Sequence, residues 1–437
     1  MKKIILSAAV AAMAFSTSAV AADKGIDIEV SGQAVVYYET HDYDNADEGL
    51  FDERNSVAAG GIQLNLGADL GNNFTFGSQL TYLSTLGLEK TLVNNGKQQA
   101  GGVVDAATVS EIALTKIFIA KQIANTTLKI GRQELPQSLA PFSYSEGDSV
   151  FKNTFDAILA INTDIPKTTV VAAYVSKGTG VINLGLSTDL PAIGGAIYML
   201  TAQTTAIPMT TLTATYYEAK NVTGTSGVAP TALVNPNGGA SADIIWVDAA
   251  IAPKDAPIGL TFGLQGGVIS VDTSTYEDTT AFGAKVGAKI EGFTLGLAFT
   301  SVDGDSKSQI AVRNLATGNR SPLYTQMVAN QGAISLDSDT IVASVGYDAG
   351  SIGNFAVSYG WSDVDEDNGI VNTTTGDVDY SELDLVYKVK AGGVQYAAML
   401  VYREVDKGGT ITNTTSATTG SNAEDDTMLR FWARYNF

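Results

Sequence analysis

The sequence predicts an all-β chain, a transmembrane, antiparallel, up-and-down β-barrel of about 18 strands, with 16 as the alternative count. Short segments of alternating apolar and polar residues recur along the whole length, divided by turn signals. The connections between them alternate strictly between short and long, as they must when successive crossings run up and then down one sheet. The polar faces are also too polar to pack as a core, and that many strands enclose a lumen too wide for side chains to fill, so water occupies it.

Lys2 and Lys3, the apolar run Ile4 to Phe15 and the small-x-small site Ala19-Val20-Ala21 make a secretory signal peptide of residues 1–21. Residues 22–437 are then expected to form one barrel domain, with no linker or composition break to divide it. No later stretch reaches the roughly 18 apolar residues of a membrane-spanning helix. The absence of Cys excludes disulfides and thiol chemistry. Net charge is -20, and -22 once Lys2 and Lys3 are removed, which excludes nucleic acid as a partner.

In order, the strands are expected at Ile26 to Thr40, Ser56 to Leu70, Phe74 to Leu86, Val109 to Gln122, Thr126 to Gln133 and Phe155 to Asn162. Next come Thr168 to Ser176, Gly195 to Thr205, Met209 to Glu218, Asp243 to Ala252, Ile258 to Ile269 and Thr280 to Ile290. Phe293 to Val302, Asp339 to Asp348, Asn354 to Asp363, Asp379 to Lys390, Val394 to Arg403 and Thr427 to Phe437 complete the set. Short connections such as Gly71-Asn72-Asn73, Glu291-Gly292 and Ala391-Gly392-Gly393 alternate with long ones such as His41 to Asn55, Glu134 to Thr154 and Asp303 to Ser338. An even strand number brings the last strand beside the first, so the sheet closes and has no edge.

Alternation assigns the faces. Ile62, Leu64, Leu66, Ala68 and Leu70 oppose Gln63, Asn65, Gly67 and Asp69, and Leu383, Leu385, Tyr387 and Val389 oppose Glu382, Asp384, Lys388 and Lys390. Phe74, Phe293, Phe355 and Phe437 lie at the short-turn ends, with Tyr38, Tyr82 and Tyr402 near the opposite ends, as two interfacial aromatic girdles require.

The ending TMLRFWARYNF, stopping on Phe437, resembles the terminal strand of bacterial outer-membrane barrels. The stretch from Leu128-Lys129-Ile130-Gly131-Arg132-Gln133-Glu134 through Asn153-Thr154-Phe155-Asp156-Ala157 to Val170-Val171-Ala172-Ala173-Tyr174-Val175 resembles the OprD-type and major-outer-membrane-protein porins of Gram-negative bacteria. That resemblance implies an outer-membrane location, contact with lipid bilayer and lipopolysaccharide, a trimer, and a third external loop that folds in to narrow the channel. Carried over by position, residues 134–154 are the constriction loop, with Glu146 and Asp148 as its acidic tip and Lys129 and Arg132 as basic wall residues. Strict alternation from Leu128 and Ile130 turns Arg132 outward unless the strand bulges.

Parity alone puts Lys285, Lys289, Lys388, Lys390, Arg403, Arg430 and Arg434 on the lumen wall, facing the acids Asp27, Glu29, Asp69, Glu382 and Asp384. Charges of opposite sign across a lumen orient dipolar solutes; alternatively they simply solvate the wall. Acids crowd His41 to Asn55 and Glu404 to Asp426, predicting a negative outer mouth and weak cation preference. Asp363, Asp365 and Asp367 resemble part of a calcium loop, but Gly369 is displaced by one position and no twelfth-position Glu follows, so a solvated acidic loop is favoured. His41 is the only His, which excludes a multi-His metal site and leaves one imidazole for any hydrolytic apparatus. The reading is a porin without cofactor or enzymatic activity, passing small hydrophilic solutes and ions by passive diffusion. The competing reading is a structural or adhesive barrel whose acidic external loops bind surfaces.

Overall fold

The computed structural model describes residues 27–44, 49–52, 55–84, 110–147, 150–178, 192–222, 240–254, 256–272, 277–303, 310–315, 320–365, 372–373, 378–406, 409–412 and 422–437. The expected signal peptide and Asp148 lie outside these residues.

The strands are β1 (Ile28–Tyr43), β2 (Ser56–Gly71), β3 (Phe74–Ser84), β4 (Ser110–Ile123), β5 (Thr126–Gln133), β6 (Phe155–Asn162) and β7 (Thr168–Gly178). They continue with β8 (Ala192–Thr204), β9 (Thr210–Val222), β10 (Ala240–Ile251), β11 (Thr261–Val271), β12 (Thr279–Ile290), β13 (Phe293–Asp303) and β14 (Ser338–Asp348). The last are β15 (Asn354–Val364), β16 (Asn372–Thr373), β17 (Val378–Ala391), β18 (Val394–Val405), β19 (Gly409–Thr412), β20 (Asn422–Ala423) and β21 (Asp425–Asn436). The short strands β16, β19 and β20 pair with one another in the long connections. The other strands form one 18-stranded antiparallel sheet in which β21 pairs with β1, closing the barrel. The count of 18 holds and the alternative of 16 does not.

The period of two fixes the faces. Leu64 is 39% exposed while its neighbour Gln63 is 3% exposed, because Leu64 points out of the barrel and Gln63 into a hydrogen-bonded inner wall with Gln79 and Thr81. The short turns use left-handed backbone at Asn72, Asn73, Ala124, Lys167 and Met209, with Gly292, Gly392 and Gly393 elsewhere. Such tight reversals demand positive φ. The expected aromatics occupy these ends: Phe293 lies 4.6 Å from Tyr347, and Phe355 4.8 Å from Tyr387, both pairs directly opposite across strands. No helix among the described residues is long and apolar enough to cross a membrane.

Closure depends on Gly32. Gly32 and Phe437 exchange backbone hydrogen bonds of 2.7 and 3.0 Å, and the Phe437 ring lies over Gly32 where a Cβ would come within 2.6 Å of it. Gly32→Val is therefore expected to displace the terminal ring and cost about 1–3 kcal/mol through overpacking. The temperature at which the folded barrel loses its fast gel mobility should fall; an unchanged transition would show that the ring does not seal this seam.

One strand boundary changes a sequence expectation. β1 runs through His41 to Tyr43, so His41 is an inward strand residue and does not sit in a rim loop.

Candidate functional site

Among the described residues two long connections enter the lumen, of which the sequence indicated one. Residues 134–154 leave β5 and re-enter at β6, both only 8 residues long, so the connection starts low in the wall and turns inward. Its apolar arm packs on the β9–β10 wall: Phe142 meets Trp246 at 5.3 Å and Tyr217 at 5.9 Å, both edge-on. Polar anchors fix that arm, with Thr201 Oγ1 donating to the Leu139 carbonyl at 2.8 Å and Gln203 Nε2 to the Ser138 carbonyl at 3.1 Å. Its returning arm packs Val150 and Phe151 on Val35, Tyr37, Ala59 and Leu83, while Arg434 donates to the Val150 carbonyl at 3.2 Å. Gly61 leaves room for the Phe151 ring, which a Cβ would approach to 2.5 Å.

The second inward connection lies between β13 and β14. Ile310, Val312, Leu323 and Ile334 are buried with the first loop's Leu139 and Phe142 in one cluster. Leu315 N donates to the Phe142 carbonyl at 2.9 Å and Asn314 Nδ2 to the Tyr144 carbonyl at 2.8 Å. Glu382 and Asp384 hold its far side, accepting from the Ala329 and Val328 backbone at 2.8 and 3.2 Å. These two acids do face the lumen, as parity requires, but they serve as loop anchors and are buried.

Between the loops and the β9–β12 wall lies a cavity of about 770 Å³ lined by acids Glu146 and Asp248, bases Lys285 and Arg320, and the rings of Tyr144 and Tyr324. Tyr324 donates to Asp248, and Lys285 Nζ sits 3.7 Å from the Tyr324 ring centroid. Burial and then that hydrogen bond push the Tyr324 phenol well above its ordinary range. Glu146 lines this space but is not a free tip, because it is buried and accepts from Asn314 Nδ2 at 2.9 Å.

At the neck of the first loop, Glu134 pairs with Lys116 and, at 3.4 Å, with Lys152. Burial opposes ionisation of Glu134, yet the two lysines outweigh it and hold the carboxyl below its usual range. Lys116 points inward because the register shifts by one between Gln79 and Leu80, which turns both Thr115 and Lys116 to the lumen. Lys129 also faces in, 6% exposed with Nζ 3.7 Å from the Phe118 centroid.

Arg132 does not join them, and its assignment to the channel wall is corrected. The β5 register through Gly131 and Arg132 has no bulge, so Arg132 shares the outer face with Leu128 and Ile130, where its Nε donates to Asp156 at 2.8 Å. Arg403 and Arg430 are likewise not free wall charges. Arg430 donates to Glu39 at 2.6 Å, and Arg403 pairs with Asp426. Lys289, Lys388 and Lys390 face the lumen near the short turns and are exposed. The calcium-loop reading is not supported: Asp363 faces outward in β15, Asp365 follows the strand, and Asp367 lies outside the described residues. Among the described residues no three His, Cys, Asp or Glu side chains converge as a metal site.

Residues 1–184 match the family described as Campylobacter major outer membrane protein, a span that contains Lys129 to Val175. The chain is a β-barrel of the bacterial outer membrane. Its fold is that of Pseudomonas aeruginosa OccK8 (OprE), at TM-score 0.68 and 15% identity, covering 94% of this chain and 98% of that one. Pseudomonas aeruginosa OpdQ gives TM-score 0.67 at 13% identity, covering 94% and 98%. Acinetobacter baumannii OccAB1 gives 0.67 at 12% identity, covering 94% and 96%. No curated protein matches the chain by sequence. The short turns of this outer-membrane barrel accordingly face the periplasm and the long connections the exterior.

Proposed function

We propose that the barrel is a porin, a water-filled channel through which small hydrophilic solutes and ions diffuse passively, narrowed by the two inward loops. The carrying observation is the polar cavity of about 770 Å³ left between those loops, lined by Glu146 and Asp248 on one side of the charge balance and Lys285 and Arg320 on the other. Two acids against two bases leave the narrow zone without a dominant sign, so it orients dipolar solutes more than it selects ions. Ion preference then falls to the mouth. There Asp44 accepts from the Glu424 backbone at 3.1 Å, drawing the first and last external connections together among Asp42, Glu404, Asp406 and Asp425.

Weak cation preference is the expected result. Reversal potential across a planar bilayer in a salt gradient measures it, and the preference should shrink as ionic strength rises because mouth charges are screened over about 8 Å at physiological salt. Clear anion selectivity would overturn the mouth assignment. A silent bilayer would favour the adhesive reading. No step of this function uses a cofactor or a catalytic group, and His41, enclosed by carboxylates, has no open face for a substrate.

A further inference from the structure

The outer face of the wall is covered at the external end of β1 and β2. Parity through Val36 and Tyr38 turns Thr40 outward, and its partners across the ladders, Ser56 and Leu429, share that face with Tyr38's partners Ala58 and Phe431. Ile112, outward near the external end of β4, is 60% exposed, whereas Thr40 is 0% exposed and Ser56 is buried. The first external connection lies over them. Its segment 49–52 folds back on the outside of the barrel: Phe51 N donates to Thr40 Oγ1 at 2.8 Å, and Ser56 Oγ donates to the Asp52 carbonyl at 2.6 Å.

Phe51 is the outermost part of this segment. Its ring stacks on Tyr38 with centroids 6.4 Å apart and planes at 8°, and its other side is open, which leaves the residue 47% exposed. Its φ of 69° is left-handed backbone, unfavourable for a bulky side chain. The bonds at Thr40 and Asp52 hold that conformation, and Asp44 fixes the rising arm by accepting from Glu424 N at 3.1 Å. Backbone strain is thus retained where it sets a half-exposed ring on the outer wall. In water this arrangement gains little, because the side away from Tyr38 stays wetted; against hydrocarbon the same side leaves water.

The polar groups beneath the ring point the same way. Tyr38 donates to Ser56 Oγ at 3.0 Å, so the hydroxyls of Tyr38, Thr40 and Ser56 are all bonded to groups of the protein itself. Wall that meets hydrocarbon must satisfy its polar groups internally, whereas wall that meets water need not. Asp42, two residues further up the same outward face, is exposed and marks the level at which the wall becomes aqueous.

We infer that Leu50 and Phe51 form a hook that enters the outer leaflet, with the Phe51 ring lodged among lipid acyl chains beside the external aromatic girdle. The hook continues a surface already turned to lipid: Tyr38 lies directly opposite the outward Phe431, and the exposed row Ile62, Leu64 and Leu66 runs down β2 from the same place. An external connection otherwise rich in acids is thereby tied to the membrane surface by apolar contact. This contact does not depend on whether the lumen conducts.

Spin labels test the inference, because a chain without Cys takes a nitroxide at one chosen position. Leu50→Cys and Phe51→Cys are labelled and reconstituted in vesicles of phosphatidylethanolamine and phosphatidylglycerol. Leu297→Cys, on the outer face of β13, is the lipid reference, and Asp406→Cys the aqueous one. Fast gel mobility shows that each labelled chain is folded. Collisions with oxygen, which concentrates in hydrocarbon, are expected to exceed those with a water-soluble nickel chelate several-fold at 50 and 51, close to the ratio at 297. Adding Phe51→Ser to the labelled Leu50→Cys chain should move that label to the ratio found at 406. Chelate access at 50 and 51 equal to that at 406 would overturn the inference, as would a label at 50 that stays in lipid without the ring. Spectral broadening at 50 and 51 that disappears on dilution with unlabelled chain would overturn it too, by giving the hook to a second copy.

Discussion

Arg430→Ala is expected to destabilise the barrel by about 3–5 kcal/mol, the typical cost of removing one partner from a buried ion pair. Arg430 Nε donates to Glu39 Oε2 at 2.6 Å across the β1–β21 seam, and both side chains are buried, at 8% and 1% exposure. Glu39 is shared: Tyr37 donates to it at 2.6 Å, and His41 Nε2 lies 3.3 Å from its second oxygen. The other nitrogen of His41 is 3.1 Å from Asp426, which Arg403 also engages from β18. Carboxylates only accept hydrogen bonds, so an imidazole between two of them donates from both nitrogens and is cationic. The seam is thus a continuous row, Arg430, Glu39, His41, Asp426, Arg403, joining the first strand to the last. Removing Arg430 leaves Glu39 with the weaker cation alone. The folded, fast-migrating band should convert to the unfolded form at a markedly lower temperature. The double replacement Glu39→Gln with Arg430→Gln should recover part of the loss, because it leaves no unpaired charge. A wild-type transition in the single variant would mean that the seam is held by its backbone ladder alone.

The residues that parity could read, and those it could not, separate on physical grounds. A strand on an open lumen has a strict period of two, so the outward Leu383, Leu385 and Tyr387 and the inward Glu382 and Asp384 were legible from alternation. Lys116 was not, because a single-residue bulge inverts the parity of β4 and no turn residue marks the place. For Arg132 alternation was right, and the placement carried over from related porins was not. Alternation says which wall face a residue shares, but not what the lumen contains. Glu382 and Asp384 therefore read as free wall charges, although the β13–β14 connection covers them. That inward connection has the same polar, Gly- and Asn-containing composition as the exterior ones. Its direction is fixed by contacts distant in sequence, such as Leu315 to Phe142 and Tyr324 to Asp248.

Replacing residues 137–151 by a short Gly-Ser linker is expected to more than double single-channel conductance in planar bilayers. The excised segment holds the side chains that span the lumen, Leu139 and Phe142 on the Tyr217–Trp246 wall and Val150 and Phe151 on the Val35–Leu83 wall. Their removal merges the polar cavity with the space beside β1 to β3. The second loop loses its Leu315 and Asn314 hydrogen bonds to the excised segment but keeps its wall anchors at Glu382, Asp384 and the Tyr324–Asp248 contact, so it should still narrow the lumen. For the same reason the channel should widen without losing all selectivity by size. Phe142→Ala is the milder counterpart. Loss of a buried aromatic costs roughly 3–5 kcal/mol, and here it falls on loop docking while the strand ladder is untouched. That variant should retain near-normal thermal stability of the barrel while its conductance fluctuates between narrow and wide levels. If the deletion left conductance unchanged, the first loop would not be the narrowing element, and the β13–β14 connection would be the next segment to remove. If Phe142→Ala instead lowered barrel stability as strongly as Arg430→Ala, loop and wall would form one cooperative unit, and the loop would be part of the core more than a diffusion gate.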